Sequence, residues 1–554
     1  MTPADASRRY SLVDVAVHIE GVDMTSRRRG EMLSALRTVG RAVGRPLDAI
    51  PAEPRALADL MGRVSPLAQG LSPGRWANVK SLTAKAVEMV VPLMPARQRV
   101  RLSPEWQGLI EQVAPVQRRY PLTACLRWLT ERGVGPDGVD AALLETFRNS
   151  FVETSLRARP HEVWRRFVGA WNDARMAVTG WPDIALSAED RRRQATLPWS
   201  AFPNSLRQDT EAWLFRQSGQ DVMDEDGPPK PMRPATIEGY RYLIRSSASS
   251  AVAEGIEPSS ITCLADLVKL PVYKAALQGQ WKRTGRKAST YISKSAAVLI
   301  SIGRYWVRLP ETELKVLRDA ARKVEPAKRR GLTQKNLDRL RPFDNPKTAL
   351  ALLNLPFAIR KEVERGKLST RRAAVQAQAA VAIAILLIAP MRLKNLRLLR
   401  LDRHLVRHGR SLHLVIPGEE VKNEVDLEFE VERQTRDLLQ WYLDEHRPVL
   451  APAGSQALFP GGVDGAKDGQ TVRSNIMKAI RKHTGLEMNP HLFRHFAAKL
   501  YLDRNPGDYE TVRRLLGHKT IETTIRFYAG FETKAATKHY QGVVMGLRAV
   551  GERA

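Results

Sequence analysis

Apolar positions along this chain recur mostly at helical spacing, and alternation with a period of two is confined to its C-terminal half. Arg371 to Ala389 is so rich in Ala, Val, Ile and Leu that it reads as a central buried helix, and Pro390, which has no N–H to continue it, sets its end. Its most apolar run, Ala379 to Ala389, is too short to span a bilayer and predicts a core element. A second apolar set follows at Leu396, Leu398, Leu399 and Leu401. Leu412–Ile416 and Val425–Val431 read as strands, and the second alternates apolar with acidic residues, so one face packs while the other meets water. The polar stretch Pro417 to Glu424 between them predicts a hairpin turn. Arg436 to Leu450 predicts an amphipathic helix, Gly461 to Gly469 a flexible loop, and Ser474 to Thr484 a basic helix.

The first half carries a recurring punctuation. Three times a helical stretch ends at a glycine, and an aliphatic residue stands six positions later: Gly44 and Ile50, Gly133 and Val139, Gly255 and Ile261. Each reads as a C-cap glycine, a turn and an apolar anchor before the next helix. A basic stretch with aromatic residues follows each one, at Arg75–Lys80, Trp164–Asn172 and Tyr291–Lys294. Three small helical units with basic, aromatic-bearing helices suggest successive DNA-grasping modules. In the third, Thr236 caps a helix bearing Arg241 and Arg245, and Lys282, Arg283, Arg286, Lys287 and Lys294 follow as candidate phosphate contacts. Arg191–Arg193 and Pro326–Gly331 read as flanking linkers, and Asp224–Pro229 as an exposed loop.

Charge sharpens the picture. With 554 residues the chain is long enough for about three or four domains. It carries 88 Lys+Arg against 59 Asp+Glu, a net +29 that on a folded protein points to a polyanionic partner, most commonly nucleic acid. Two cysteines, Cys125 and Cys263, exclude a disulfide scaffold or an all-thiolate zinc site. The opening Met1–Asp5 lacks the pattern of a signal peptide, so a cytoplasmic location without membrane attachment is expected. No Gly-x4-Gly-Lys-Ser/Thr loop and no evident carboxylate cluster for catalytic Mg²⁺ is present, so neither cofactor nor metal is expected.

The chemistry concentrates near the C-terminus, in Asn489-Pro490-His491-Leu492-Phe493-Arg494-His495, Leu515-Leu516-Gly517-His518 and Arg526-Phe527-Tyr528-Ala529-Gly530. His491 and Arg494, at i and i+3, share one helix face. Guanidinium donors match phosphate oxygens in a bidentate way, and a phenol nearby is a candidate nucleophile. This set resembles the catalytic signature of the tyrosine recombinases, or phage integrases. The resemblance implies that Arg392, placed straight after the buried helix, is the first arginine of that signature, and that Lys422 on the hairpin is the catalytic lysine. The family usually has an acidic residue three positions after that arginine, where this chain has Asn395, and its tyrosine commonly falls one residue earlier, at Phe527. Tyr540 is the rival nucleophile. His404, His408 and His413 read as surface or packing residues.

The expected fold is mainly α, with tandem small helical DNA-binding modules at 1–100 and 101–200. A core-binding helical domain at 201–325 and an integrase-type catalytic domain with a small antiparallel sheet at 331–554 would follow. The resemblance implies site-specific cleavage and rejoining of double-stranded DNA through a 3′-phosphotyrosine. A homo-tetramer, or a hetero-tetramer with related recombinases, would hold two duplexes. Arg392, Arg494 and His518 would meet the phosphate, His491 would act as general base and Lys422 as general acid, and the segment after Tyr528 would pack on a neighbouring subunit. A type IB topoisomerase, or a DNA-binding accessory protein with a degenerate site, would share much of this set.

Overall fold

Three glycines turn the chain at helix ends in the same way. Gly44, Gly133 and Gly255 adopt φ of 73°, 67° and 95°, the left-handed region that costs a residue without Cβ little. A single 3-10 turn follows each, at Leu47–Ala49, Pro136–Gly138 and Pro258–Ser260. Ile50, Val139 and Ile261 then drop into three separate apolar cores. The computed structural model describes residues 10–91, 100–156, 160–187, 196–219, 228, 230–327, 331–461 and 465–551. The expected linker at Arg191–Arg193, the loop residues Asp224–Gly227 and the basic residues Lys328–Arg330 lie outside them, as does the Met1–Asp5 start.

The aromatic residues of the basic helices belong to these cores. Trp76 in the helix Pro73–Val87, and Trp164, Phe167 and Trp171 in Pro160–Ala177, are buried. The second core is a run of neighbouring rings in which Phe147 meets Trp128, Phe151, Trp164 and Phe167. Helical spacing of Trp and Phe therefore marks an inward face here, and stacking on bases is left to none of these four.

The chain divides into two units, residues 1–188 with 330–554, and residues 189–329. Within the first, the turn at Pro66 packs so closely on Gly485, the left-handed cap of the helix Gly469–Thr484, that a Cβ there would stand 2.7 Å from the proline ring. The second unit is built on the crossing of Pro234–Val252 with Leu270–Arg283. Ser250 faces Gly279, and Gln280 donates to Ser247 Oγ at 3.2 Å.

The C-terminal part wraps around the helix Thr370–Ile388, of which Ala379 to Leu386 is wholly buried. The helix as a whole is 19 residues and, by length and composition alone, could cross a membrane, although its apolar run is buried in the core. A three-stranded antiparallel meander follows: β1 (Leu405–His408), β2 (Ser411–Ile416) and β3 (Leu427–Val431), with Leu414 opposite Phe429. β1 was not anticipated, because its Val-Arg-His ending lacks apolar alternation; it pairs along one edge of β2. His404, just before it, is buried and bonded to Glu420, whereas His408 is exposed. The expected helix at 436–450 is regular only over Arg433–Trp441 and loosens into a π turn at Tyr442–His446.

The serine–glycine crossing yields a test. A Cβ at Gly279 would stand 2.4 Å from the Ser250 carbonyl oxygen, a backbone atom with no freedom to swing away. Gly279→Ala should therefore separate the two helices and lower stability by about 1–3 kcal/mol, the range for overpacked cores. Thermal unfolding of the full chain should show the loss, and an unchanged profile would mean that the helices do not approach this closely.

Candidate active site

The helix Pro490–Leu502 is fixed at its start by Asn489, whose side chain accepts from the Leu492 N–H at 3.1 Å, and by Pro490 in the first turn. That register puts His491, Arg494 and His495 on adjoining positions of one face. Arg494 is 3 % exposed. Its guanidinium donates to the Pro390 carbonyl at 2.8 Å and the Leu516 carbonyl at 2.7 Å, and it lies 3.3 Å from His518 Nε2.

The helix Tyr509–Leu516 ends at Gly517, which is left-handed at φ 58° and lies against Leu427 of β3, where a Cβ would come within 2.7 Å. This turn aims the next residue, His518, inward, and its Nδ1 lies 2.9 Å from Thr524 Oγ1. Arg392 caps the short helix Leu393–Arg397 and reaches Asn423 Oδ1 at 3.2 Å. Asn423 Nδ2 donates to the Gly517 carbonyl at 2.6 Å. One amide thus ties the arginine, the hairpin that carries exposed Lys422, and the Gly-His turn together. Asn395 is buried, and the Arg392 guanidinium donates to Asn423 Oδ1.

Tyr528 lies in the helix Ile521–Gly551 and is 2 % exposed. Its phenol oxygen is 2.9 Å from His495 Nδ1, and its ring stacks parallel to His518 with centroids 6.5 Å apart. Arg392, Lys422, His491, Arg494, His518 and Tyr528 line one cavity of about 500 Å³. His495, Asn423 and Lys519 line it too and were not anticipated. His495 had a signal, standing at i+4 from His491 in the same motif; Asn423 had none beyond its place beside Lys422. Phe527, at the expected tyrosine position, is 41 % exposed at the rim, and Tyr540 lies further along the same helix, exposed and outside the cavity lining.

Residues 360–534, which hold all six of those side chains, match the family model described as the phage integrase family. The chain carries a phage integrase family domain. No curated protein matches the chain. Among solved structures the chain is similar to the XerH site-specific recombinase bound to difH substrate, at 15 % identity over 59 % of this chain and 92 % of that one, with a TM-score of 0.30. It is also similar to a lambda integrase dimer bound to a COC′ core site, at 16 % identity over 57 % and 93 %, TM-score 0.34. The Tn1549 transposon integrase in complex with circular intermediate DNA matches at 13 % identity over 56 % and 93 %, TM-score 0.33.

Electrostatically the cavity is a positive site whose Lys519 is paired with Glu424. Among the described residues, neither Arg392 nor Arg494 is paired with a carboxylate. Burial pulls Arg494 down to about 10, with Arg392 beside it adding repulsion, and burial lowers Arg392 as well. Burial first, then Arg494 and Arg392, bring His518 to about 4. Burial, then His491, Arg494 and His518, bring His495 to about 3. Burial raises the Tyr528 phenol, opposed by Arg494. At neutral pH both buried imidazoles are neutral and the phenol is protonated. Among the described residues no group of three or more His, Cys, Asp or Glu is placed to hold a metal ion.

In the 189–329 unit, the candidate DNA-contacting residues divide. Arg241 is held by Glu211 in a two-pronged ion pair and by Glu238, and Arg245 is half-buried. Lys282, Arg283, Arg286, Lys287 and Lys294 are exposed, though Lys282 pairs with Glu254 and Arg283 lies against Tyr291.

The depressed imidazoles carry a pH dependence with a definite sign. His495 and His518 have folded values of about 3 and about 4, below the ordinary 6.5. As pH falls through 6.5 the unfolded chain takes up protons that the folded site refuses, so acidification destabilises, by at most about 1.4 kcal/mol per pH unit for each proton. Thermal midpoints recorded from pH 7 to pH 4.5 should fall less steeply in His495→Asn than in the unmodified protein. Parallel slopes would mean that His495 is protonated as readily in the folded chain as in the unfolded one.

Proposed function

We propose that this protein is a site-specific DNA recombinase that cleaves and rejoins double-stranded DNA through a 3′-phosphotyrosine, with Tyr528 as nucleophile. One observation carries the reading: two guanidiniums, buried or half-buried and bonded only to neutral acceptors among the described residues, surround a buried phenol held by an imidazole. A charge kept out of water and unpaired by carboxylate is costly unless an anion arrives. A phosphodiester is such an anion, and the net charge of +29 suits its carrier.

The chemistry follows from the placement. Attack by the phenol oxygen on phosphorus builds charge on the non-bridging oxygens, which Arg392 and Arg494 neutralise while His518 adds a hydrogen bond. Lys422, exposed on its hairpin, protonates the departing 5′ oxygen. The resemblance assigns the phenolic proton to His491, which lines the cavity. The phosphotyrosine conserves the bond energy, so rejoining uses neither ATP nor a metal ion. In this reading residues 1–100 and 101–200 are DNA-positioning modules, 201–325 grips the core site through Arg283, Arg286, Lys287 and Lys294, and 331–554 performs the chemistry. A tetramer on two duplexes, with the segment after Tyr528 reaching a neighbouring subunit, completes strand exchange.

Tyr528→Phe keeps the ring and removes the attacking oxygen. It should bind DNA with unchanged affinity and form no covalent adduct, whereas Tyr540→Phe should form adduct as the unmodified protein does; the reverse pattern would move the nucleophile to Tyr540. Because guanidiniums meet the phosphate charge, adduct formation should persist in excess EDTA. Loss of cleavage in chelator, restored by Mg²⁺, would remove this mechanism.

A further inference from the structure

We infer that His495 is the group that takes the proton of Tyr528 as the phenol attacks phosphorus. The inference rests on the recombinase reading and assigns within it a residue the resemblance does not. Three observations carry it. His495 Nδ1 stands 2.9 Å from the phenol oxygen, within the reach a general base needs. Both groups are buried on helices, His495 at 6 % exposure, so their geometry is set by packing and not by loop motion. His491, in contrast, is exposed at the rim, one helical turn away with its ring edge-on to His495 at 5.0 Å between centroids.

The protonation state of the imidazole follows from its surroundings. Burial first, and then His491, Arg494 and His518, oppose a proton on His495. The imidazole is therefore neutral, and in the tautomer protonated at Nε2 its Nδ1 offers a lone pair to which the phenol O–H donates. In that resting state His495 is a weak base and the phenol is unactivated. A DNA phosphate lodged between Arg392 and Arg494 offsets the Arg494 part of that opposition, so the imidazole gains basicity when substrate is bound. Each step balances. The Tyr528 O–H bond breaks and its proton passes to His495 Nδ1, the phenol oxygen's electron pair forms the bond to phosphorus, and the bond from phosphorus to the 5′ oxygen breaks with Lys422 supplying a proton to that oxygen. Rejoining runs the same transfers backwards.

His495→Asn keeps a hydrogen-bond acceptor near Nδ1 but cannot take a proton. On a nicked duplex whose 5′ fragment diffuses away, the rate of adduct formation should fall by about 100-fold or more. Affinity for the same duplex should stay within about threefold. Incorporating 3,5-difluorotyrosine at position 528, which makes the phenol more acidic, should recover at least about tenfold of the lost rate in His495→Asn. A 5′-bridging phosphorothiolate, whose sulfur leaves without a proton, should rescue Lys422→Ala and leave His495→Asn slow. An adduct rate for His495→Asn within about threefold of the unmodified protein would overturn the inference. So would a loss accompanied by a lowered thermal midpoint that difluorotyrosine fails to recover, since that marks a packing residue. If the unmodified protein binds its flanking DNA and forms no adduct at all, the recombinase reading fails instead.

Discussion

The burial of Arg494 is the constraint on which the site depends. Moving a guanidinium out of water costs several kcal/mol, and the domain offsets this without spending a carboxylate. The acceptors are the carbonyls of Pro390, just past the end of the central helix, and Leu516, the last residue of Tyr509–Leu516. A helix end leaves its final carbonyls unpaired and carries partial negative charge, so the Leu516 carbonyl, with that of Pro390 just beyond another helix end, satisfies the cation and is satisfied by it. The full positive charge survives this arrangement. A carboxylate would have stabilised Arg494 more and left little for a phosphate.

Much else in the domain serves to hold those two helix ends in register. Pro390 stops the central helix where its carbonyl is needed, and Gly517 turns the chain at φ 58° so that Leu516 faces the arginine and His518 follows it inward. Asn423 then carries the hairpin into the same frame through the Gly517 carbonyl and Arg392. An uncharged side chain in that position fixes the guanidinium and leaves its charge uncancelled.

Several of these features were legible in the residues because they depend on local chemistry. The three glycine corners needed a positive φ, and an aliphatic residue six places on needed burial; both are short-range demands that punctuation reveals. The site candidates sat in spaced motifs, and the structure gathers all six around one cavity. What stayed hidden was decided by partners far away in sequence. Arg241 looked like a phosphate contact until Glu211, from a different helix, met it. Trp76, Trp164, Phe167 and Trp171 sat in stretches read as DNA-grasping helices, and helical spacing cannot say which face turns inward. β1 escaped notice because its order comes from pairing with β2 and not from its own pattern.

The tyrosine position shows how a local departure can be absorbed by a distant fit. Counting from His518, the ring that the common spacing would make a nucleophile is Phe527, and a helix turns about 100° per residue. The shift is taken up on a single face of the helix Ile521–Gly551. Thr524 is buried and holds His518 Nδ1, and Tyr528 lies four residues on, so the two side chains stack one above the other along that face. The same turn of helix therefore fixes both the His518 imidazole and the Tyr528 phenol. Moving the phenol back to position 527 would swing it by about 100° toward the exposed rim where Phe527 now sits, away from His495. In this chain the buried imidazole of His495 and the later tyrosine fit as a pair.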